Sequence, residues 1–245
     1  MEEENKFNKK KKKIIILICI IVVLIIGTIV AIVILNKNKE EEKNNAENTQ
    51  KFLDPRSIEG DLTSEKPIIY LYPTEEIEVT VKVGRLENLT HTYPKYENEW
   101  KVIAKPNGDL KDVETGRNLY CLYWEGINTK EPTMEEGFIV QGKDTISFLE
   151  EKLEVLGLSE REANEFIIYW LPKLESNKYN YIRFQTIEEI DEGMPLEINP
   201  KPDSIIRILM EYKALEEPIE IAEQKLTTPE REGFAVVEWG GTELK

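Results

Sequence analysis

Apolar residues recur along this chain in three rhythms. Residues 14–35, from Ile14 to Leu35, are an uncharged run of eleven Ile, four Val and three Leu, interrupted only by Cys19, Gly27, Thr28 and Ala31. A helix over this run rises ~1.5 Å per residue and reaches ~33 Å, the hydrocarbon thickness of a bilayer. Its aliphatic side chains favour insertion by very roughly 5–11 kcal/mol. The run predicts one transmembrane helix. Residues 36–65 are rich in Asn, Lys and Glu, lack apolar periodicity before Phe52-Leu53, and read as a flexible linker spanning on the order of 30 Å. Phe52, Leu53, Ile58 and Leu62 could tuck against the domain beyond, although a stalk is the simpler reading.

From residue 66 the period becomes two. Residues 68–72 and 77–83 read as strands, and in the second Ile77, Val79, Val81 and Val83 share a face opposite Glu78, Thr80 and Lys82. Residues 89–93 alternate as well. Residues 100–105 and 109–113 flank Pro106-Asn107-Gly108, a strong hairpin signal. Residues 118–124 add one strand with Tyr120, Leu122 and Trp124 on a single face.

The period then becomes helical. Asp144 can cap a helix carrying Ile146, Leu149, Leu153 and Leu156, closed by Gly157. Ser159 and Glu162 form a capping box for a second helix, with Ala163, Phe166, Ile167 and Trp170 as its buried stripe and Pro172 as its stop. Strands return at residues 181–186, 196–198, 204–213, 219–221 and 234–239. The expected fold is α+β: a largely antiparallel β domain with a central αα-hairpin, preceded by one transmembrane helix.

Charge orients the chain. Lys6 and Lys9 to Lys13 precede the apolar run, whereas Lys37, Lys39 and Lys43 after it are diluted by Glu40, Glu41 and Glu42. Positive charge stays inside, which predicts a cytoplasmic basic tail at residues 1–13 and an extracellular domain at residues 66–245. The run exceeds a signal-peptide core of ~7–15 residues and lacks a small-x-small cleavage site, so an uncleaved signal-anchor is expected. Leu17-Ile18-Cys19 has the outline of a lipoprotein acylation box, but Ile18 is bulky where a small residue is required. Gly27 and Ala31 share a helix face, a small-xxx-small pattern through which two copies could pair weakly.

Residues 67–245 hold 20 basic and 36 acidic side chains, a net charge of −16. That excludes the basic footprint of nucleic-acid binding and suits cationic partners or divalent ions. With Cys121 the sole cysteine and His91 the sole histidine of this part, neither a disulfide nor a Cys/His zinc site can form within it. No cofactor is expected.

Several chemistries compete with plainer readings. Residues 137–143 fit a phosphate-binding loop until Asp144, which stands where a Ser or Thr must hold magnesium; a strand followed by a helix cap is simpler. His91 lacks a Gly-x-Ser-x-Gly partner. Glu188, Glu189, Asp191 and Glu192 could attract calcium but lack EF-hand spacing and read as a solvated acidic edge. Glu125 and Glu238 each adjoin a Trp and stand beside Gly. An indole could raise one carboxyl's pKa while the other stays ionised, as glycoside hydrolysis requires; Glu136 is a third candidate. Against this, alternation that turns Trp124 and Trp239 inward turns both carboxylates to solvent. Tyr70, Tyr72, Tyr93, Tyr96, Trp100, Tyr120, Tyr123, Trp124, Tyr179, Tyr181 and Trp239 are aromatics for core packing, sugar stacking or a protein partner.

Four stretches stand together: KPIIYLYP from Lys66, LYWEG from Leu122, YWLP from Tyr169 and EWGGTE from Glu238. With them the chain from Lys66 to Glu243 resembles a family of bacterial membrane-anchored proteins of the Gram-positive type. The resemblance implies one domain and supplies no catalytic role. The expectation is an anchored extracellular domain that binds an envelope protein or glycan, with an envelope glycan hydrolase using Glu125 and Glu238 as the alternative.

Overall fold

The alternating runs pair into two sheets. The computed structural model describes residues 36, 37, 39, 40, 62–128 and 132–245. The expected span at 14–35, with Gly27 and Ala31, lies outside them. Among the described residues no helix is long and apolar enough to cross a membrane. The chain divides into units Met1–Ser57 and Ile58–Lys245, and the second carries a mixed α+β fold, mostly β.

Its strands are β1 (Leu62–Tyr72), β2 (Ile77–Val83), β3 (Leu89–Tyr93), β4 (Trp100–Ala104), β5 (Leu110–Asp112), β6 (Asn118–Leu119), β7 (Leu122–Asn128), β8 (Glu136–Gln141), β9 (Tyr179–Phe184), β10 (Leu196–Asn199), β11 (Ser204–Leu215), β12 (Ala222–Glu223) and β13 (Ala235–Glu243). The helices are α1 (Thr145–Val155), α2 (Glu160–Leu174) and α3 (Ile187–Gly193). The larger sheet runs β12-β8-β9-β11-β13-β1-β7-β3 and the smaller β10-β2-β4-β5-β6. Pairing is antiparallel except for β11 with β13 and β8 with β12.

The larger sheet is covered on both faces. On one, Leu149 and Leu153 of α1 and Phe166, Trp170 and Leu174 of α2 pack on Ile68, Tyr70, Ile182, Ile208, Val237 and Trp239. On the other, the smaller sheet's Val79, Val81, Trp100 and Val102 meet Ile69, Leu71, Leu122, Trp124 and Val236. Each fully buried aliphatic or Phe side chain contributes roughly 1.5–3 kcal/mol. The two tryptophans adjoining Glu125 and Glu238 therefore belong to different cores.

Several elements depart from expectation. β1 begins at Leu62, inside the stretch read as linker, and Leu62 is buried. The strand read over 118–124 is two strands: β6 closes the smaller sheet, the chain changes sheet at Tyr120-Cys121, and β7 joins the larger one. Tyr120 is thereby left half exposed rather than sharing a buried face with Leu122 and Trp124. Ser159 and Glu162 make the expected capping box, with Ser159 N–H donating to Glu162 Oε2 at 2.7 Å. Asp144 takes the cap position of α1, yet its side chain makes no capping bond. Ile146 is exposed, and Thr145 takes a buried place instead. Pro172 does not stop α2, which runs on to Leu174. The bond it forgoes would reach the Ile168 carbonyl, on a turn whose side chain is 74 % exposed, so water can take the donor's place. Residues 219–221 form no strand; the short β12 comes after them.

Candidate functional site

The site grows from an irregularity in β1. Its register against both β13 and β7 slips before Ile68, and Lys66 takes a left-handed φ of 61°, a strained conformation for a residue with a Cβ. Gly240 on β13 makes the bulge fit, since a Cβ there would sit 2.9 Å from Pro67. Gly241 beside it leaves room for Trp170.

The bulge aims two side chains at α2. Glu65 Oε2 accepts from the Tyr169 hydroxyl at 3.1 Å and pairs with Lys173. Lys66 Nζ lies 5.4 Å from the Tyr169 ring centre and 6.0 Å from that of Tyr123, a cation–π position. On β7, Tyr123 and Glu125 alternate with core-facing Leu122 and Trp124, which puts them on the helix-covered side of the sheet. Glu125 Oε1 accepts from the Lys66 backbone N–H at 3.3 Å, and Oε2 lies 3.6 Å from His91 Nδ1. The sheet change adds the rim: Tyr93, Asn118, Leu119, Tyr120 and Cys121 complete a cleft of about 530 Å³ floored by Ile68. That volume lies within the usual ~300–1,000 Å³ of ligand pockets. Tyr93 and Tyr120 are 49 % and 50 % exposed.

Titration limits the chemistry. Burial pushes the Cys121 thiol up to about 11, and the Glu165 carboxylate adds to this against the opposing effects of Tyr120 and Lys66. At neutral pH it is a thiol, not a nucleophilic thiolate. Burial, then the hydrogen bond that the phenol donates to Glu125 and repulsion from that carboxylate, raises the Tyr123 pKa. Deeper in, the Tyr70 hydroxyl donates to Glu165 Oε2 at 2.6 Å, and its pKa is raised mainly by burial and then by that carboxylate. The cleft offers neutral phenols, one carboxylate and one ammonium.

The three candidate carboxylates do not meet. Glu125 enters the cleft, whereas Glu238 is fully buried on the opposite face. Alternation does turn Glu238 away from Trp239, but towards a second core rather than water. There Trp124 Nε1 donates to Oε1 at 2.8 Å and Arg207 Nε to Oε2 at 2.6 Å. Arg207 also pairs with Asp191 and donates to the Met194 carbonyl. Glu136 opens β8, five places from β7 in the sheet, or roughly 24 Å at ~4.8 Å per strand.

The other motifs resolve into structure. Residues 137–141 complete β8, so the phosphate-loop resemblance marks a strand. His91 lies on the edge strand β3 with its side chain 70 % exposed. The acidic stretch read as a solvated edge is helix α3, started by a Thr186/Glu189 capping box. Its Glu189 holds Arg183 and its Asp191 holds Arg207. Among the described residues no group of three His, Cys, Asp or Glu could hold a metal ion. Residue type and spacing do not mark Lys66 and Tyr169 as site residues. Their only signal was membership of KPIIYLYP and YWLP, which with LYWEG supply five of the ten cleft-lining residues.

Compared with known protein families, curated proteins and solved structures, the chain matches none.

Proposed function

We propose that this chain is a single-pass membrane protein, amino terminus inside, that holds its acidic α+β domain outside the cell and acts by binding an envelope component. The observation that carries this reading is the tyrosine-walled cleft, where Lys66, Tyr123, Glu125 and Tyr169 converge from three elements beneath half-exposed Tyr93 and Tyr120. Aromatic rings with polar tips suit recognition. The hydrolase alternative needs two carboxylates within about 5–9.5 Å of each other across one bond, and Glu125 and Glu238 face opposite sides of the sheet. The basic tail and the apolar run support the sidedness.

Full-length protein in detergent is to be sedimented with insoluble cell wall. The expected result is co-sedimentation without release of reducing sugar, reduced by Tyr93→Ala with Tyr120→Ala. Sugar release that disappears in Glu125→Gln would establish the hydrolase instead; no co-sedimentation would end the binding reading. Protease added to intact cells is expected to digest the domain, and its survival would reverse the sidedness.

A further inference from the structure

We infer that the cleft takes a neutral, hydroxyl-rich glycan segment, an inference that rests on the binding reading above and names the ligand class.

The groups lining the cleft match those of a polyol. Tyr93 and Tyr120 present half-exposed rings at the rim, and the C–H faces of a sugar stack on such surfaces. Inside, Glu125 can only accept hydrogen bonds and Lys66 can only donate them, while the Asn118 amide at the rim does both. One hydroxyl both donates and accepts, so a polyol can satisfy all three groups without carrying charge.

Charged ligands fit worse. The slot beside Tyr123 and Tyr169 already holds the Lys66 ammonium, so a second cation would lie against it. An anion would meet Glu125 in the cleft, with Glu65 and Glu165 immediately behind it. It would also approach a domain whose net charge is −16 over residues 67–245. Glu125 keeps accepting capacity: its two oxygens offer about four lone-pair sites, of which the Lys66 N–H and the Tyr123 hydroxyl use two, and Oε2 lies 3.6 Å from exposed His91.

The test is calorimetric titration of the full-length protein in detergent with chitotetraose, cellotetraose and hexalysine, alongside the wall sedimentation. Binding of either tetrasaccharide is expected. Tyr120→Ala should weaken it about two- to tenfold, the worth of one aromatic contact, and Tyr120→Trp should restore it. Glu125→Gln should weaken it about tenfold or more, as for hydrogen bonds to a charged group. Tyr120 and Glu125 lie at the cleft surface, and Ile168→Ser on the outer side of α2 serves as an unchanged control. Wall binding with no affinity for either tetrasaccharide overturns the glycan inference and leaves the binding reading standing. Tetrasaccharide binding indifferent to Tyr120→Ala overturns the assignment to this cleft, as does hexalysine binding that Tyr120→Ala abolishes. Loss of wall binding with tetrasaccharide binding intact overturns the envelope role alone.

Discussion

Two glutamates with nearly the same neighbours meet opposite fates in this molecule. Glu125 and Glu238 each stand beside a tryptophan, on strands of one sheet separated only by β1. Glu238 is sealed between the sheet and the layer formed by the smaller sheet and α3, its two oxygens taken by Trp124 and Arg207. Glu125 stands at the edge of the layer formed by α1 and α2, where cover runs out and a cleft opens. Both faces carry ionic groups, but they use them differently. On the sealed face, Arg183 joins Glu211 and Glu189 while Gln185 donates to Glu211, so the charges pair with one another, although Arg183 Nε is left without a partner. In the cleft, Glu125 and Lys66 leave hydrogen-bonding capacity facing outward. Coverage, not the residue or its neighbours, separates a structural carboxylate from one available to a ligand.

The strongest way to break that contrast is to unpair the sealed face. Glu238→Ala leaves Arg207 buried without its main partner, and removing one member of a buried pair costs about 3–5 kcal/mol. Denaturant unfolding should show this loss, and Arg207→Met with Glu238→Leu should recover most of it, because the expensive state is the unpaired ion. Equal loss in single and double variants would mean that the pair organises the fold beyond its own charges.

Acid probes a pair at the boundary between the faces and solvent. Burial pushes the Glu162 carboxyl up, but hydrogen bonds from Arg231 and Ser159 outweigh it and hold its pKa below the ordinary 4.5. A carboxyl whose pKa is lower folded than unfolded adds stability above the unfolded value, and that stability is lost as pH falls through the folded one. Glu162→Gln should therefore lower stability at neutral pH by up to about 1.5–3 kcal/mol, the range for charge-assisted hydrogen bonds. The gap to the parent should close as pH falls below 4.5. Unfolding curves at pH 7 and pH 3 check this, and a constant gap would refute it.

The smallest stability effect sharpens the contrast from the cleft side. Lys66→Gly relieves a left-handed backbone worth about 1–2 kcal/mol, and gives up cation–π contacts worth about 0.5–1 kcal/mol each. The net change in stability should stay within about 1 kcal/mol, since the two terms oppose. Tetrasaccharide affinity should nevertheless fall, because the ammonium is gone. Unchanged affinity would show that Lys66 shapes the bulge without meeting the ligand.

Much of the architecture was legible in local pattern. The alternation of Ile77, Val79, Val81 and Val83, the Ser159/Glu162 capping box and the Asn107-Gly108 turn all depend on groups a few residues apart, and all are present in the fold. α3 is harder to read although Thr186 and Glu189 repeat the capping-box spacing, because a short acidic helix resembles a solvated edge. The site was far less legible. Tyr93, Tyr120, Tyr123 and Glu125 drew attention as residue types, while Lys66 and Tyr169 did not, and nothing local joins six residues spread from β1 to α2.

The chain's own pattern determined where apolar faces exist: a 22-residue uncharged run, strands of period two and two helices of helical period. Tertiary structure alone decided which of those faces are covered twice and which are left open. Periodicity is set by the residues in one element, whereas burial depends on what arrives from distant parts of the chain. That is why Glu238 became an internal ion-pair partner and Glu125 came to line an open cleft.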